Sequence, residues 1–318
     1  MLRPLGFGLV LLAMMPLASG QPSAGPIKLV VPFTPGTGID LIARTIGPKL
    51  AERMGRPVIV ENKPGASGNL GTESVVRAPP DGSTLLVTVN TLVMNRALYP
   101  KLSFDPVNDL APVTLTSWGQ LVLVASRQSG ITSARQLIER AKQKPGAINY
   151  GSPGNGTPHH LAMELVKKQA GVFITHIPYR GTGPAVTDLL SGQIDVMFLP
   201  IHVALQHVKA GSLAALAISS DKANPLLPDV PPLRSLGLGA LDVEMWYGVL
   251  APKGTPKDLV AKLNRDLQDA LATPDVKSAF ETQGMTPAHS SPEEFRALIE
   301  RDAVRWADLI AAQKITAD

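Results

Sequence analysis

Apolar residues along this chain fall into short runs cut by Pro and Gly, and two periods alternate. Ile27–Val31 is a continuous run that predicts a buried strand. Behind it, apolar positions 39, 42, 46 and 50 repeat at helical spacing over Ile39–Met54. Pro48 lies inside that helix, where its ring kinks the backbone or at the least removes a hydrogen bond near Arg44. Val58–Val60 predicts a strand, Asn69–Arg77 a helix, Pro79–Gly82 a turn and Leu85–Val89 a strand. Further on, Leu121–Ala125 is a strand, and Thr132–Lys144 a helix capped by Thr132 or Ser133. The next strands are Ala147–Tyr150, Ile174–Pro178 and Asp195–Leu199, each followed by a helix: Pro158–Ala170, Gly183–Ser191 and Ile201–Ala210. A last strand, Trp246–Ala251, precedes three helical stretches that begin near Pro256, Thr273 and Ser291. The run Ser291-Pro292-Glu293-Glu294 is a strong helix start, with Pro in the first turn and acids at the positive end of the dipole.

Strands separated by helices of 10–15 residues define an α/β chain whose sheets are mostly parallel and covered on both faces. Three turns between strand and helix are rich in glycine: Pro35–Gly38, Lys63–Asn69 and Gly151–Thr157. Glycine lets backbone turn through positive φ and lets a ligand approach the main chain closely. Each turn also feeds a helix N-terminus, where free N–H groups favour an anion. A single such turn reads equally well as plain strand-to-helix geometry; three in one chain favour a cradle.

Composition narrows the picture. The 318 residues are 44% hydrophobic and 18% charged, enough for two domains with a sizeable core. Residues 1–20 carry one cation, Arg3, then an apolar stretch and the small-residue exit Ala18-Ser19-Gly20, which reads as a secretory signal peptide. A membrane anchor is the competing reading, but Pro4, Gly6, Gly8 and Pro16 break up the apolar run. The chain has no cysteine, so lipid acylation, disulfides and thiolate metal sites are excluded. Without residues 1–20 the balance is 29 cations to 26 anions, or +3, scattered without basic runs, which gives no case for nucleic acid.

The enzyme signatures fail one by one. No glycine turn ends in Gly-Lys-Ser/Thr, the dinucleotide fingerprint is missing, and no G-x-S-x-G elbow occurs. The six histidines contain no H-E-x-x-H, and the adjacent His159 and His160 face about 100° apart on a helix and share no metal easily. Neither a catalytic site nor a cofactor or metal is expected. Asp40 reads as a first-turn residue serving its own helix, Arg180 and Tyr179 as loop residues, and Trp246 as packing where the chain crosses between domains.

Six segments carry a resemblance: VVPFTPGTGIDLIAR, ENKPGASGNLG, YGSPGNGTPHHLAMEL, IPYRGTGPAVTDLLSGQIDVMF, SSDKANPLLPDVPPL and WYGVLAPKGTP. In this order and spacing they resemble the Bug family, the extracytoplasmic solute-binding proteins of tripartite tricarboxylate transporters, over about Ile27–Ile310. The resemblance implies a two-domain periplasmic binding protein of Venus-flytrap form. On this chain, 26–124 plus 247–318 would form domain 1 and 125–246 domain 2, with crossings near Leu121–Ser126 and Met245–Ala251. It implies a small organic carboxylate held in the cleft by backbone N–H groups and bridging waters. The implied contacts are Phe33, Thr37, Gly38, Ile39, Asp40, Ser67 and Gly68 from domain 1. Domain 2 would add Ser152, Asn155, Gly156 and Thr157, with Tyr179 and Arg180 as distal selectors. Two residues depart from the family pattern: Thr37 and Ser67 stand where glycine is common, so each adds a side chain near the cradle. A monomer that hands its ligand to integral-membrane permease subunits from the periplasm is implied. A sensor that presents its closed form to a membrane receptor would have the same binding chemistry.

Overall fold

The computed structural model describes residues 25–99, 101–221, 223–238 and 243–316; the expected signal peptide lies outside them. Eleven strands and ten α-helices follow one another among these residues. The first part runs β1 (Ile27–Val31), α1 (Gly38–Met54), β2 (Val58–Asn62), α2 (Asn69–Val76), β3 (Thr84–Val89), α3 (Thr91–Leu98) and β4 (Leu110–Gly119). The middle part runs β5 (Leu121–Ser126), α4 (Ala134–Gln143), β6 (Asn149–Ser152), α5 (Pro158–Ala170) and β7 (Thr175–Pro178). It continues through α6 (Thr182–Leu190), β8 (Val196–Pro200), α7 (Ile201–Lys209) and β9 (Leu213–Ile218). The last part is β10 (Met245–Pro252), α8 (Lys257–Ala272), α9 (Pro274–Thr282), β11 (Met285–Pro287) and α10 (Pro292–Gln313).

These elements make two sheets flanked by helices, the α/β class that the alternating periods predict. The first sheet has the order β11-β4-β10-β3-β1-β2 and the second β7-β6-β8-β5-β9. The expectation of mostly parallel pairing needs correction. β1 pairs parallel with β2 and β3, and β6 parallel with β7 and β8. β10 runs antiparallel to β3 and β4, β11 to β4, and β5 to β8 and β9. Every antiparallel pair includes β4, β5 or β10, the strands beside the two passages between sheets, and no local helix links these strands to their antiparallel partners.

The passage from the first sheet to the second is Gln120, between the last residue of β4 and the first of β5. That is earlier than the expected limit at 124, and β10 already begins at Met245 in the first sheet. β5 is buried on both faces: Leu121, Leu123 and Ala125 join the larger core, and Val122 and Val124 a smaller one with Met197, Leu199 and Ile218. Trp246 is buried where the chain re-enters the first sheet. Its Nε1 donates to Asp302 at 2.7 Å, and its ring meets the edge of Phe295. Helix α1 continues through Pro48, which leaves the Arg44 carbonyl without its usual donor. Of the two candidate caps for α4, Ser133 is the cap, accepting from the Gln136 N–H.

Candidate functional site

The carboxyl ends of β3 and β8 lead almost directly into helices, and those of β1 and β6 through the glycine turns, so first turns from both lobes meet at one place. Between them lies a cavity of about 60 Å³. Its walls include the first turns of five helices: Thr37, Gly38 and Ile39 of α1, Thr91 of α3, Thr157, Pro158 and His159 of α5, Thr182 of α6, and Pro200, His202 and Val203 of α7. Phe33, Gly36, Val89, Pro153, Met245 and Tyr247 complete it. Neither lysine nor arginine is among these residues.

Two of the helices start alike, although they belong to different lobes. Thr37 and Thr157 occupy the cap positions of α1 and α5 with φ/ψ of −78/162° and −73/156°. Threonine is a good cap, yet neither hydroxyl accepts from its helix. Thr37 Oγ1 donates to the Thr34 carbonyl at 3.1 Å, and Thr157 Oγ1 to the Gly154 carbonyl at 2.8 Å. Each side chain thus ties its own loop in place. Its helix enters the cavity with the first N–H groups uncapped by it, the positive ends of two dipoles.

Gly38 shows how tightly the lobes meet. A Cβ there would lie 2.9 Å from His202 Cε1 and 3.3 Å from Tyr247 Oη. The expected Gly at 38 therefore serves close approach rather than an unusual φ.

The other expected residues divide into two groups. Asp40 is 4% exposed and does not line the cavity. Its carboxylate accepts from Arg44 Nε, from Asn62 Nδ2 and from the Gly36 N–H, all near 3.0 Å. Burial alone would raise its pKa; the bonds from Arg44, Gly36 and Asn62 outweigh that and hold it below the usual range. Asp40 therefore pins the β1–α1 turn. Ser152 is likewise fully buried behind the wall, with Oγ 2.7 Å from His176 Nε2. Gly156 is left-handed (φ 77°) and donates its N–H to His160 Nδ1 at 3.0 Å. His160, His176 and Tyr150 stack beneath the loop, and burial pushes His160 and His176 down to about 4 and about 3. This neutral stack supports the 151–157 turn.

Ser67, Gly68, Asn155, Tyr179 and Arg180 line a second, wider chamber of about 590 Å³, which shares Phe33 and Pro153 with the first. Here the lobes touch directly: Ser67 Oγ donates to the Asn155 carbonyl at 2.7 Å and accepts from Tyr99 Oη at 3.1 Å. Ala66 and Ser67 both hold left-handed backbone, with φ of 46° and 54°. For side-chain-bearing residues that costs about 1–2 kcal/mol each, and it sits at this contact between the lobes. The Tyr179 hydroxyl donates to Asp188 at 2.7 Å, which leaves Arg180, exposed at the rim, as the chamber's cation.

Sequence reading did not single out Thr91, Tyr247, Met245 or His202. They lie on α3, β10 and α7, outside the glycine turns. A positional signal existed for Thr91 and His202, since both stand in the first turn after a strand.

Two lobes closing on a cavity ringed by helix N-termini define a ligand-binding receptor. Residues 42–315 match the tripartite tricarboxylate transporter family receptor (TctC), and the chain belongs to that family. It is 35% identical to Protein BugT of Bordetella pertussis over 297 residues, 93% of this chain and 91% of that one. Among solved structures it is similar to MatC of Rhodopseudomonas palustris with bound malate, with 32% identity, TM-score 0.84, and 90% and 98% of the two chains covered. R. palustris Rpa4515 with adipate is similar at 30% identity and TM-score 0.87, over 92% and 98% of the chains.

Proposed function

We propose that this protein is an extracytoplasmic solute-binding receptor that captures a small organic carboxylate in the cavity between the lobes and delivers it to integral-membrane permease subunits. The observation that carries this reading is the meeting of five helix first turns at one cavity without a lysine or arginine in its wall. Backbone N–H groups and dipole ends are then the main source of positive potential. A hydrogen bond to a charged group contributes about 1.5–3 kcal/mol, and a helix terminus adds about 0.3–1 kcal/mol. Four or five such contacts, less the cost of association, reach micromolar affinity near 8 kcal/mol. Neutral donors hold the anion firmly and still release it when the lobes part, as a transport receptor requires.

Malate in MatC and adipate in Rpa4515 support the ligand class. The leader-like residues 1–20 support export, and in this reading the mature protein works in the periplasm as a monomer. In this reading the lobes divide at Gln120 and between β9 and β10, and they hinge there. Among the described residues no helix is long and apolar enough to cross a membrane; in this reading the permease subunits provide the transport path.

A thermal-shift screen of the chain from Gln21 against mono-, di- and tricarboxylates, amino acids and aromatic acids, with neutral sugars and cationic amines beside them, tests the reading. A ligand at 100 times its Kd adds about 2.7 kcal/mol, a rise of several degrees. A carboxylate hit is expected. Stabilisation by neutral sugars or cationic amines alone would contradict the proposal.

A further inference from the structure

The wall of the inner cavity carries polar side chains with nothing to bond. Both ring nitrogens of His159, Nε2 of His202 and Oγ1 of Thr91 are buried without a hydrogen-bond partner. His159 is 9% exposed and Thr91 2%, and all three residues line the cavity. Buried polar groups are nearly always satisfied, so three side chains left open around one cavity point to a ligand that satisfies them. They come from three helix first turns, so the dipoles there favour an acceptor as well.

We propose that Thr91, His159 and His202 bind a second carboxylate of the ligand, so that the receptor selects short dicarboxylates over monocarboxylates and takes up a proton as it captures them. This rests on the carboxylate-receptor reading above and deepens it. A monocarboxylate of the same length would lay a methyl group against these donors and leave them unmet. That mismatch costs about tenfold or more in affinity for each group.

The proton follows from the surroundings of the rings. Burial, and for His159 the neighbouring His202, holds the two imidazoles down to about 3 and about 4, so both are neutral at physiological pH. The other titratable group in the cavity wall is the Tyr247 phenol, which burial pushes up and keeps neutral. Asp40, the acid in the first turn of α1, is turned away to Arg44 and Asn62. Among the described residues, no charge other than the neighbouring imidazole shifts either ring. A carboxylate arriving beside them raises their pKa, and one imidazole nitrogen accepts a proton from solvent; no other bond changes.

The test is titration calorimetry of the mature protein at pH 6.5, in phosphate and in imidazole buffer. The probes are succinate, glutarate and adipate, each against the monocarboxylate of equal length: butyrate, valerate and hexanoate. Wild-type protein is expected to bind at least one dicarboxylate ~30-fold or more tighter than its monocarboxylate partner. Binding should take up close to one proton, and affinity should fall by up to about tenfold between pH 6.5 and 7.5. His159→Phe and His202→Phe should cut the preference to a few-fold; His202→Gln, which keeps a donor but cannot titrate, should keep some preference and lose part of the uptake. Equal affinity for the two ligand classes, or tight dicarboxylate binding without proton uptake in the wild type, would overturn this inference and leave the receptor reading standing. If none of the six acids binds and the hits of the broad screen are not acids, both readings fall.

Discussion

The helices of this protein begin in two different ways, and apart from α2, which starts at the second chamber with neither a first-turn acid nor a side-chain cap, the difference follows location. Helices α4, α8, α9 and α10 lie away from the cavity and settle their own N-termini. Ser133 caps α4, Asp258 and Asp275 stand in the first turns of α8 and α9, and Ser291 with Glu294 forms a capping box on α10. Helices α3, α5, α6 and α7 begin at the cavity with neither an acid in the first turn nor a side-chain cap. The exception, Asp40 of α1, has its charge taken by Arg44. Ordinary stability would favour an acid or a cap at each of these positions, worth about 0.3–2 kcal/mol apiece. Their common absence around one cavity leaves the positive ends to be answered by an anion from outside.

The comparison can be broken at the cavity. Thr182→Asp puts into α6 the kind of acid that α8 and α9 already have. Carboxylate affinity should fall by about 100-fold or more through like-charge repulsion at close range in a poorly solvated cavity, while the melting temperature of the ligand-free protein holds or rises. Calorimetry and thermal melts of one preparation check both halves. An unchanged affinity would mean that the anion does not sit among these helix ends.

Asp40 tests the exception. Asp40→Asn should destabilise the protein by about 1–3 kcal/mol, since it weakens three hydrogen bonds and leaves Arg44 without its partner. Because the folded-state pKa of Asp40 is lowered, its stabilising contribution is present above the unfolded value near 4. It is lost as the pH falls through the folded value. Thermal melts of wild type and variant should therefore differ most near pH 7 and converge once the pH has fallen below the lowered folded-state value.

At the far side, Ser291→Ala removes a cap that has no part in binding. A loss of about 0.5–2 kcal/mol in denaturant unfolding is expected, with the ligand Kd unchanged. The smallest effect belongs to Arg180→Ala. This exposed rim cation should alter equilibrium affinity less than about threefold and act mainly on the association rate at low salt. Stopped-flow binding at two ionic strengths separates the two.

Much of this was legible in the sequence. Hydrophobic period and glycine turns placed β1, α1, β3, β5 and α5 within a few residues, because each is a local pattern with a clear end. The α/β class followed from their alternation. The pairing of β10 and β5 did not, since antiparallel neighbours far apart in the chain leave no local trace. β4 was missed because Pro112 and the buried Thr114, Thr116 and Ser117 disguise its apolar rhythm; β11 is only three residues long.

At the site, the glycine turns led to Thr37, Gly38, Ile39 and Thr157, which line the inner cavity. Asp40, Ser152 and Gly156 belong to the same motifs but point into the scaffold, because a motif fixes the loop and not which side chains face inward. His159 was weighed as a metal ligand and set aside; what matters is its burial without a partner, which only the three-dimensional surroundings reveal. The want of first-turn acids in α3, α5, α6 and α7 was readable from the start, once those helices are seen to share a cavity.

The central claim is that the anion sits among helix N-termini and not on a cation. A crystal structure of the mature protein grown with the best carboxylate from the thermal screen tests it most directly. The account predicts a carboxylate group within hydrogen-bonding distance of backbone N–H groups in the first turns of α1 and α5, near Gly38 and His159. A carboxylate paired with Arg180 in the outer chamber, with the inner cavity empty, would contradict it.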